Sequence, residues 1–403
     1  MLLALLLLQA VSQTGYRGQF PLPNMAVPSG LGVNIHIIAP QDDSIERISK
    51  AGFKWIRMDM LWDTVEHTQG EYDFSQYDKL ESQLEKYKIR PIYILDYGND
   101  YYEAKSAPRS EEAKAAFVKY VHATIQHYRH RGVVWEMYNE PNIHFWKPYP
   151  NVKEYVALAT MVAEEIRQNE PDEWFVGPGM SGMDFKFAQG CIDGGLLQYW
   201  DAVTVHPYRT TTPETTAEDY RKLQGMISQG APAGKKIPVI CSEWGYSDMS
   251  FGEVTQSQYL AREYLSNLMA GVPLTIWYDW KNDGDRDSSD GEAHFGVVGN
   301  ELQAKQALLV VRGLVNELSG FSFIKRLPSG PQDYVLEFKK GNAVRFAVWT
   351  EAEGSSITLG LPVGDYKAVT LGGDTHVVHS GTQGLDLEIS GTPTVVAPVV
   401  TGK

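Results

Sequence analysis

The chain has 403 residues, 43% hydrophobic and 21% charged, which excludes disorder, collagen and coiled coil as its main state. Asp and Glu number 50 against 36 Lys and Arg, a formal charge of -14. A surface of that sign repels phosphate backbones, so nucleic acid is not an expected partner. Cys191 and Cys241 are the two cysteines, too few for a disulfide scaffold or a cysteine metal cluster. Cys241 falls in an apolar run, where a buried free thiol is the expectation, and a single bridge to Cys191 stays open.

In chain order, residues 1–14 read as the remnant of a secretory signal peptide. MLLALLLLQAVSQTG is apolar, and Ala10-Val11-Ser12 supplies the small residues a signal peptidase reads. No Lys or Arg precedes Arg17, so the basic part of such a leader is missing. The run is too short to span a bilayer and no other segment is long and apolar enough. The expectation is a secreted or periplasmic protein with no membrane span. No Asn-x-Ser/Thr acceptor occurs.

From residue 32 short β-branched or aromatic runs alternate with longer helical stretches. Strand Gly32–Ile38 precedes helix Asp43–Ala51, and Trp55–Met60 precedes Ser75–Tyr87, whose Tyr77, Leu80, Leu84 and Tyr87 recur at helical spacing. Arg90–Leu95 leads to Ser110–Arg129, which opens with a serine cap and two first-turn acids. Val133–Tyr138 leads to Val152–Gln168, Trp174–Gly177 to Phe185–Ile192, and Ala202–His206 to Ala217–Ser228. Pro238–Ser242 with Ser257–Met269 and Leu274–Asp279 with Gln303–Leu318 complete the series. The strands are near-continuous apolar runs, as buried parallel strands are. Eight such units in about 290 residues have the rhythm of a (β/α)8 TIM barrel. An open doubly wound sheet would need a Gly-rich turn after its first strand, where Ile38-Ala39-Pro40-Gln41 stands instead.

Beyond Phe321 helical periodicity stops. Short alternating runs follow at Tyr334–Lys339, Ala343–Thr350, Ser356–Leu361, Tyr366–Thr370, Thr375–His379, Leu385–Ile389 and Thr394–Val399, separated by Gly and Asp turns. They predict a small C-terminal β-sandwich of seven or eight strands over 321–403, packed directly on a catalytic barrel over 15–320.

In such a barrel, catalytic groups sit at the C-terminal strand ends. Those ends carry Asn34 and His36, Arg57 and Asp59, Asp96-Tyr97, Tyr138-Asn139-Glu140-Pro141, His206-Pro207-Tyr208, Ser242-Glu243-Trp244 and Trp277-Tyr278-Asp279-Trp280. Polar groups at that many ends are costly as core and make sense as one converging pocket. Glu140 and Glu243 follow the fourth and seventh strands, nearly opposite across the ring. Two opposed carboxylates, one protonated and one ionised, are what acetal cleavage needs, and their surroundings must push the two pKa values apart. Arg57 is placed to keep Glu243 ionised, and the charge of Glu243 is expected to raise the pKa of Glu140.

The run Trp135-Glu136-Met137-Tyr138-Asn139-Glu140-Pro141, with His-Pro-Tyr after strand six and Ser-Glu-Trp after strand seven, resembles clan A retaining glycoside hydrolases of the cellulase-like family 5 and of family 39. The second Asn-Glu-Pro, Asn169–Pro171, ends a helix and is coincidental. The resemblance implies Glu140 as acid/base, Glu243 as nucleophile, and Asn139 on the sugar 2-hydroxyl. It implies Arg57, His206 and Tyr208 as supports of the two glutamates, His36 as a substrate contact, and Trp277 or Trp280 as the floor beneath the reacting sugar, with Trp277 favoured. It also implies no cofactor and no metal. Trp62, Tyr97, Tyr101, Tyr102, Phe145, Trp146, Tyr149, Trp244 and Tyr246 are candidates for stacking on sugar faces, which favours an oligo- or polysaccharide substrate. The acidic loop 283–292 lacks the Gly and Glu that an EF-hand needs at its sixth and twelfth positions, Ser288 and His294 here. His144, His206 and His294 lack helical i, i+4 pairing for zinc. The expected function is a retaining β-glycosidase; the alternatives are an inactive carbohydrate-binding barrel and a metal-dependent barrel hydrolase.

Overall fold

The structure, a computed structural model, describes residues 15–40, 42–284 and 288–399; the leader-like residues 1–14 lie outside that range. Eight parallel strands close into a barrel in sequential order: β1 (Leu31–Asn34), β2 (Trp55–Leu61), β3 (Arg90–Asp96), β4 (Val134–Met137), β5 (Trp174–Ser181), β6 (Ala202–His206), β7 (Val239–Trp244) and β8 (Thr275–Trp277). The helices that follow are α1 (Ser44–Ala51), α2 (Ser75–Tyr87), α3 (Glu111–Tyr128), α4 (Val152–Asn169), α5 (Phe185–Asp193), α6 (Thr216–Gly230), α7 (Glu253–Met269) and α8 (Gln306–Leu318). Ser110 caps α3 by accepting from the Ala113 amide, and Asn169 is the last residue of α4.

Side chains alternate across each strand, and the barrel uses both faces. Ile56 and Met58 of β2, Trp135 and Met137 of β4 and Trp277 of β8 belong to the large core shared with the helices. Trp55, Ile92, Val134, Val176, Ala202, Ile240 and Ile276 form a separate apolar plug inside the ring. Two residues further along, the inward positions turn polar: Arg57, Glu136, Thr204 and Ser242, all buried. The site therefore stands on a dry floor. Arg17 pairs with Asp201, which ties the chain's first described turn to the barrel.

Two strands depart most from the bounds expected of the sequence. β1 stops at Asn34, which frees Ile35–Ile38 as loop. β5 runs on through Gly177-Pro178-Gly179 to Ser181, a stretch whose glycines and proline argue against a strand. Cys191 and Cys241 are both free and buried, so no bridge joins them.

After α8 come eight antiparallel strands: β9 (Ser322–Arg326), β10 (Asp333–Lys340), β11 (Ala343–Thr350), β12 (Ser355–Leu359), β13 (Gly364–Thr370), β14 (Thr375–Ser380), β15 (Leu385–Ile389) and β16 (Thr394–Pro398). Six form one sheet in the order β14-β13-β16-β11-β10-β9, and β12 pairs with β15. Val335, Val348, Leu359, Leu387 and Val396 close a core between the two sheets. The alternate residues Leu336, Phe338, Ala347, Trp349 and Val395 join the core of the barrel. β9 escaped the sequence reading because it is an edge strand, largely exposed and ending Lys-Arg, without apolar alternation.

Candidate active site

Two local irregularities aim the glutamates. A regular strand would continue to alternate through Tyr138. Instead Tyr138 and Glu140 take φ of 67° and 46°. Tyr138 packs on Trp146 in the helix-side core, while Asn139 and Glu140 line the cavity. Left-handed backbone at non-glycine residues costs about 1–3 kcal/mol each and persists where the surroundings hold it. Here the Glu140 amide donates to the Gly179 carbonyl at 2.8 Å. Gly179 itself has φ of +59°, and a Cβ there would stand 2.9 Å from the Tyr138 carbonyl oxygen. The Gly-Pro-Gly of β5 thus serves as the seat of the β4 turn.

On β7 the pairing with β8 shifts between Cys241↔Thr275 and Trp244↔Trp277, three residues against two. Such a bulge re-aims a side chain. Ser242 and Glu243 both face the interior: Ser242 Oγ lies 3.1 Å from His206 Nε2, and Glu243 meets Arg57 and Tyr208.

Arg57 organises the centre. Its Nε donates to Glu136 Oε2 at 2.6 Å, Nη1 to Glu243 Oε2 at 2.5 Å, and Nη2 to Asn139 Oδ1 at 2.9 Å. Nη2 also lies 3.2 Å from His206 Nε2. A guanidinium has only hydrogens to offer, so this ring nitrogen presents its lone pair. The imidazole hydrogen then sits on Nδ1, 3.0 Å from Glu140 Oε1, and is donated to it. Tyr208 donates its hydroxyl to Glu243 Oε1 at 2.9 Å. A carboxylate oxygen of Glu140 lies within 4.8 Å of one of Glu243.

Electrostatics follow from these contacts. Burial opposes the charge of Arg57, but Glu136 and Glu243 outweigh it and the guanidinium's pKa is raised. Burial likewise opposes the charge of Glu136, and Arg57 together with hydrogen bonds from Ser242 and Thr204 more than offsets it, holding that carboxyl below its ordinary value. For Glu140 burial pushes upward, and the hydrogen bond from His206 leads the contacts that together pull further down, joined by a hydrogen bond with Ser181 and the charge of Arg57. The net direction is down, opposite to the raised pKa expected from the charge of Glu243, because a donor in contact outweighs a more distant like charge. Tyr208 is pushed well up by burial and by Glu243, so it stays a donor. Asp96, fully buried, is raised well above its ordinary value by burial and by the nearby Asp59.

The cavity over this centre has a volume of about 660 Å³. Of the residues singled out in the sequence, His36, Arg57, Asn139, Glu140, Tyr208 and Glu243 line it, and His206 is fully buried beside it. Trp277, Trp280 and Trp146 do not. Trp277 points outward because it alternates with Ile276, and its indole N–H donates to the Phe295 carbonyl at 3.3 Å. Trp280 is buried against Phe53, and Trp146 against Tyr138 and Tyr155. Tyr278 occupies the wall that the reading gave to a tryptophan. Among the proposed stacking aromatics, Tyr97 and Phe145 line the cavity and stack on each other with ring centres 5.6 Å apart. Trp62 stacks on Tyr102 and Tyr120 in the core, Trp244 and Tyr246 are buried, and Tyr101 and Tyr149 are exposed outside the lining. Ser181, Phe295 and Glu292 line the cavity without having been singled out. Glu136 faces inward two residues beyond Val134, a position that the alternation of β4 makes legible.

A profile of the cellulase family, glycosyl hydrolase family 5, matches residues 19–284. No curated protein matches the chain. Among solved structures, a family 39 glycoside hydrolase from the gut symbiont Bacteroides cellulosilyticus WH2 superposes with a TM-score of 0.82 at 24% identity, covering 92% of this chain and 80% of that one. A monomeric beta-xylosidase from Caulobacter crescentus CB15 gives 0.68 at 15% identity, covering 94% and 98%. A GH30 endoxylanase from Clostridium papyrosolvens C71 gives 0.64 at 10%, also covering 94% and 98%. These structures share the fold, and the family match, which runs through β8, decides the rest. The chain belongs to the cellulase family, glycosyl hydrolase family 5, and is a retaining β-glycoside hydrolase that cleaves O-glycosidic bonds of a carbohydrate by double displacement.

Proposed function

We propose that Glu243 is the nucleophile and Glu140 the acid/base of this hydrolase. The observation that carries the assignment is the approach of one carboxylate oxygen of Glu140 to within 4.8 Å of one of Glu243. Retaining enzymes hold the pair about 5–5.5 Å apart, and inverting ones leave about 6.5–9.5 Å for a water. Glu243 attacks the anomeric carbon while Glu140 protonates the departing oxygen. Water, deprotonated by Glu140, then releases the sugar with its configuration retained.

The surrounding groups support these roles. Arg57 and Tyr208 hold both oxygens of Glu243 and fix its direction of attack. Arg57 takes Asn139 Oδ1, which leaves the amide hydrogens as donors for a sugar hydroxyl. A sugar that fills the cavity strips water from Glu140 and pushes its pKa upward, toward the protonated form the first step needs. When Glu243 becomes an ester its charge is gone, which favours the ionised Glu140 that the second step needs. Tyr278, Tyr97 and Phe145 offer flat faces to the sugar, with His36 at the rim. The leader-like residues 1–14 support export, and the N-terminus of the secreted chain reports on it.

A 2-deoxy-2-fluoro glycoside with a good leaving group tests the assignment. It should leave a stable adduct on the peptide that contains Glu243. An adduct elsewhere, or inverted product, refutes it.

A further inference from the structure

Beside the catalytic cavity lies a smaller one of about 380 Å³, lined by His36, Asp279, Asp283 and Asn300 among others. Asp279 is 2% exposed, and its Oδ1 has no hydrogen-bond partner. Burying a carboxylate without partners is costly, so such a group takes up a proton or a cation. Its nearest charged neighbours do not satisfy it. Lys305 is engaged with Asp248 at 2.8 Å and with Asn282 Oδ1 at 3.2 Å. What faces Asp279 instead is His36, with Nε2 3.8 Å from Asp279 Oδ2 and 3.9 Å from Asp283 Oδ2. One donor atom from each of the three residues falls within 4.8 Å of the others.

We propose that His36, Asp279 and Asp283 form a divalent-cation site of the zinc type, bridging the end of β1 to the loop after β8. One imidazole and two carboxylates make a mixed nitrogen and oxygen set, which suits zinc better than calcium or magnesium. With bonds of about 2.0–2.2 Å, tetrahedral donors stand about 3.4 Å apart, so the two spacings from His36, 3.8 and 3.9 Å, close by about half an ångström. His36 and Asp283 are 40% and 42% exposed at their side chains and are free to make that adjustment, whereas Asp279 is fixed. The backbone around them is already in place. Trp280 N donates to the Asn34 carbonyl at 3.0 Å, and Asn282 Oδ1 accepts from Gly296 N at 2.9 Å. The ion takes no part in the two-carboxylate chemistry. It fixes His36, which lines both cavities, at the rim of the substrate site.

The test is titration of the metal-free full chain with zinc chloride and, separately, calcium chloride, followed by calorimetry. One zinc per chain is expected, with affinity at least about tenfold weaker in Asp279→Asn and in His36→Ala, in line with the cost of disturbing a metal's ligand shell. Glu243→Gln should bind as the parent does. Asp279→Asn is isosteric with the protonated acid, and its unchanged melting temperature without metal shows that it folds. Absence of stoichiometric zinc binding overturns the proposal. So does binding kept in Asp279→Asn but lost in Glu243→Gln, which would put the ion among Glu140, His206 and Glu243. Calcium binding as tight as zinc and indifferent to His36→Ala overturns the imidazole ligand.

Discussion

Arg57 divides one buried guanidinium among Glu136, Glu243, Asn139 and His206, and its lack of any acceptor sets the tautomer of His206. The N–H that results is what holds Glu140 toward its ionised form. His206→Ala removes that donor, so the pKa of Glu140 rises. The basic limb of kcat/KM, which reports loss of the proton from Glu140 in the free enzyme, should move to higher pH. A variant that loses activity with an unmoved limb would show His206 to be structural only. Asp96 makes a second prediction, of opposite sign. Its folded pKa is raised, so its stabilising effect is complete below the unfolded value of 3.8 and is lost as pH rises through the folded value. Asp96→Asn keeps the shape of the protonated acid and cannot ionise. Its denaturation midpoint should exceed the parent's at neutral pH, and the advantage should shrink toward pH 4. The pairing of Arg57 with Glu243 was legible in the sequence, from a cation and a carboxylate at strand ends that converge on one barrel mouth. The lowered pKa of Glu140 was not, because it depends on which ring nitrogen faces Arg57.

Strand parity separates Trp277 from Tyr278. The alternation of a three-residue strand sends Ile276 inward and Trp277 outward, and the chain emerging from it brings Tyr278 to the cavity. Tyr278→Ala should raise KM several-fold with little change in thermal stability. Trp277→Ala should instead cost about 3–5 kcal/mol of stability, as loss of a buried aromatic does, read by urea denaturation. If Trp277→Ala raised KM and left stability intact, the register of β8 would be wrong. Strand order and the site-bearing strand ends were legible because hydrophobic runs and polar terminators are local signals. The bulge on β7 and the left-handed turn after β4 were not. Both exist because a neighbouring strand, β8 in one case and the Gly-Pro-Gly of β5 in the other, makes room for them.

Across the whole molecule, the sandwich and the barrel share one core through the inner face of the six-stranded sheet. A polar clasp sits at that seam. Arg262 of α7 holds Glu214, which follows β6, in a two-pronged pair at 2.7 and 2.9 Å. Trp349 of β11 donates to the same carboxylate at 2.6 Å, and its ring stacks on Tyr334 at 5.0 Å. Arg262→Ala leaves Glu214 buried and unpaired, a loss of about 3–5 kcal/mol. Because the two parts share their core, chemical denaturation should show one transition, displaced to lower denaturant as a whole. Two separated transitions would show that the sandwich folds by itself.

The sequence by itself determined the alternation of strands and helices, the change to short strands after residue 321, and the two glutamates that end the fourth and seventh barrel strands. Those features are written in nearest-neighbour patterns of apolar and polar residues, which the chain carries before it folds. Only the tertiary structure decided that Tyr278 rather than a tryptophan faces the sugar, that His206 gives its hydrogen to Glu140, and that Asp279 is buried facing His36. Each of these depends on which face of a strand closes inward and on contacts across dozens of residues, and no local pattern encodes them.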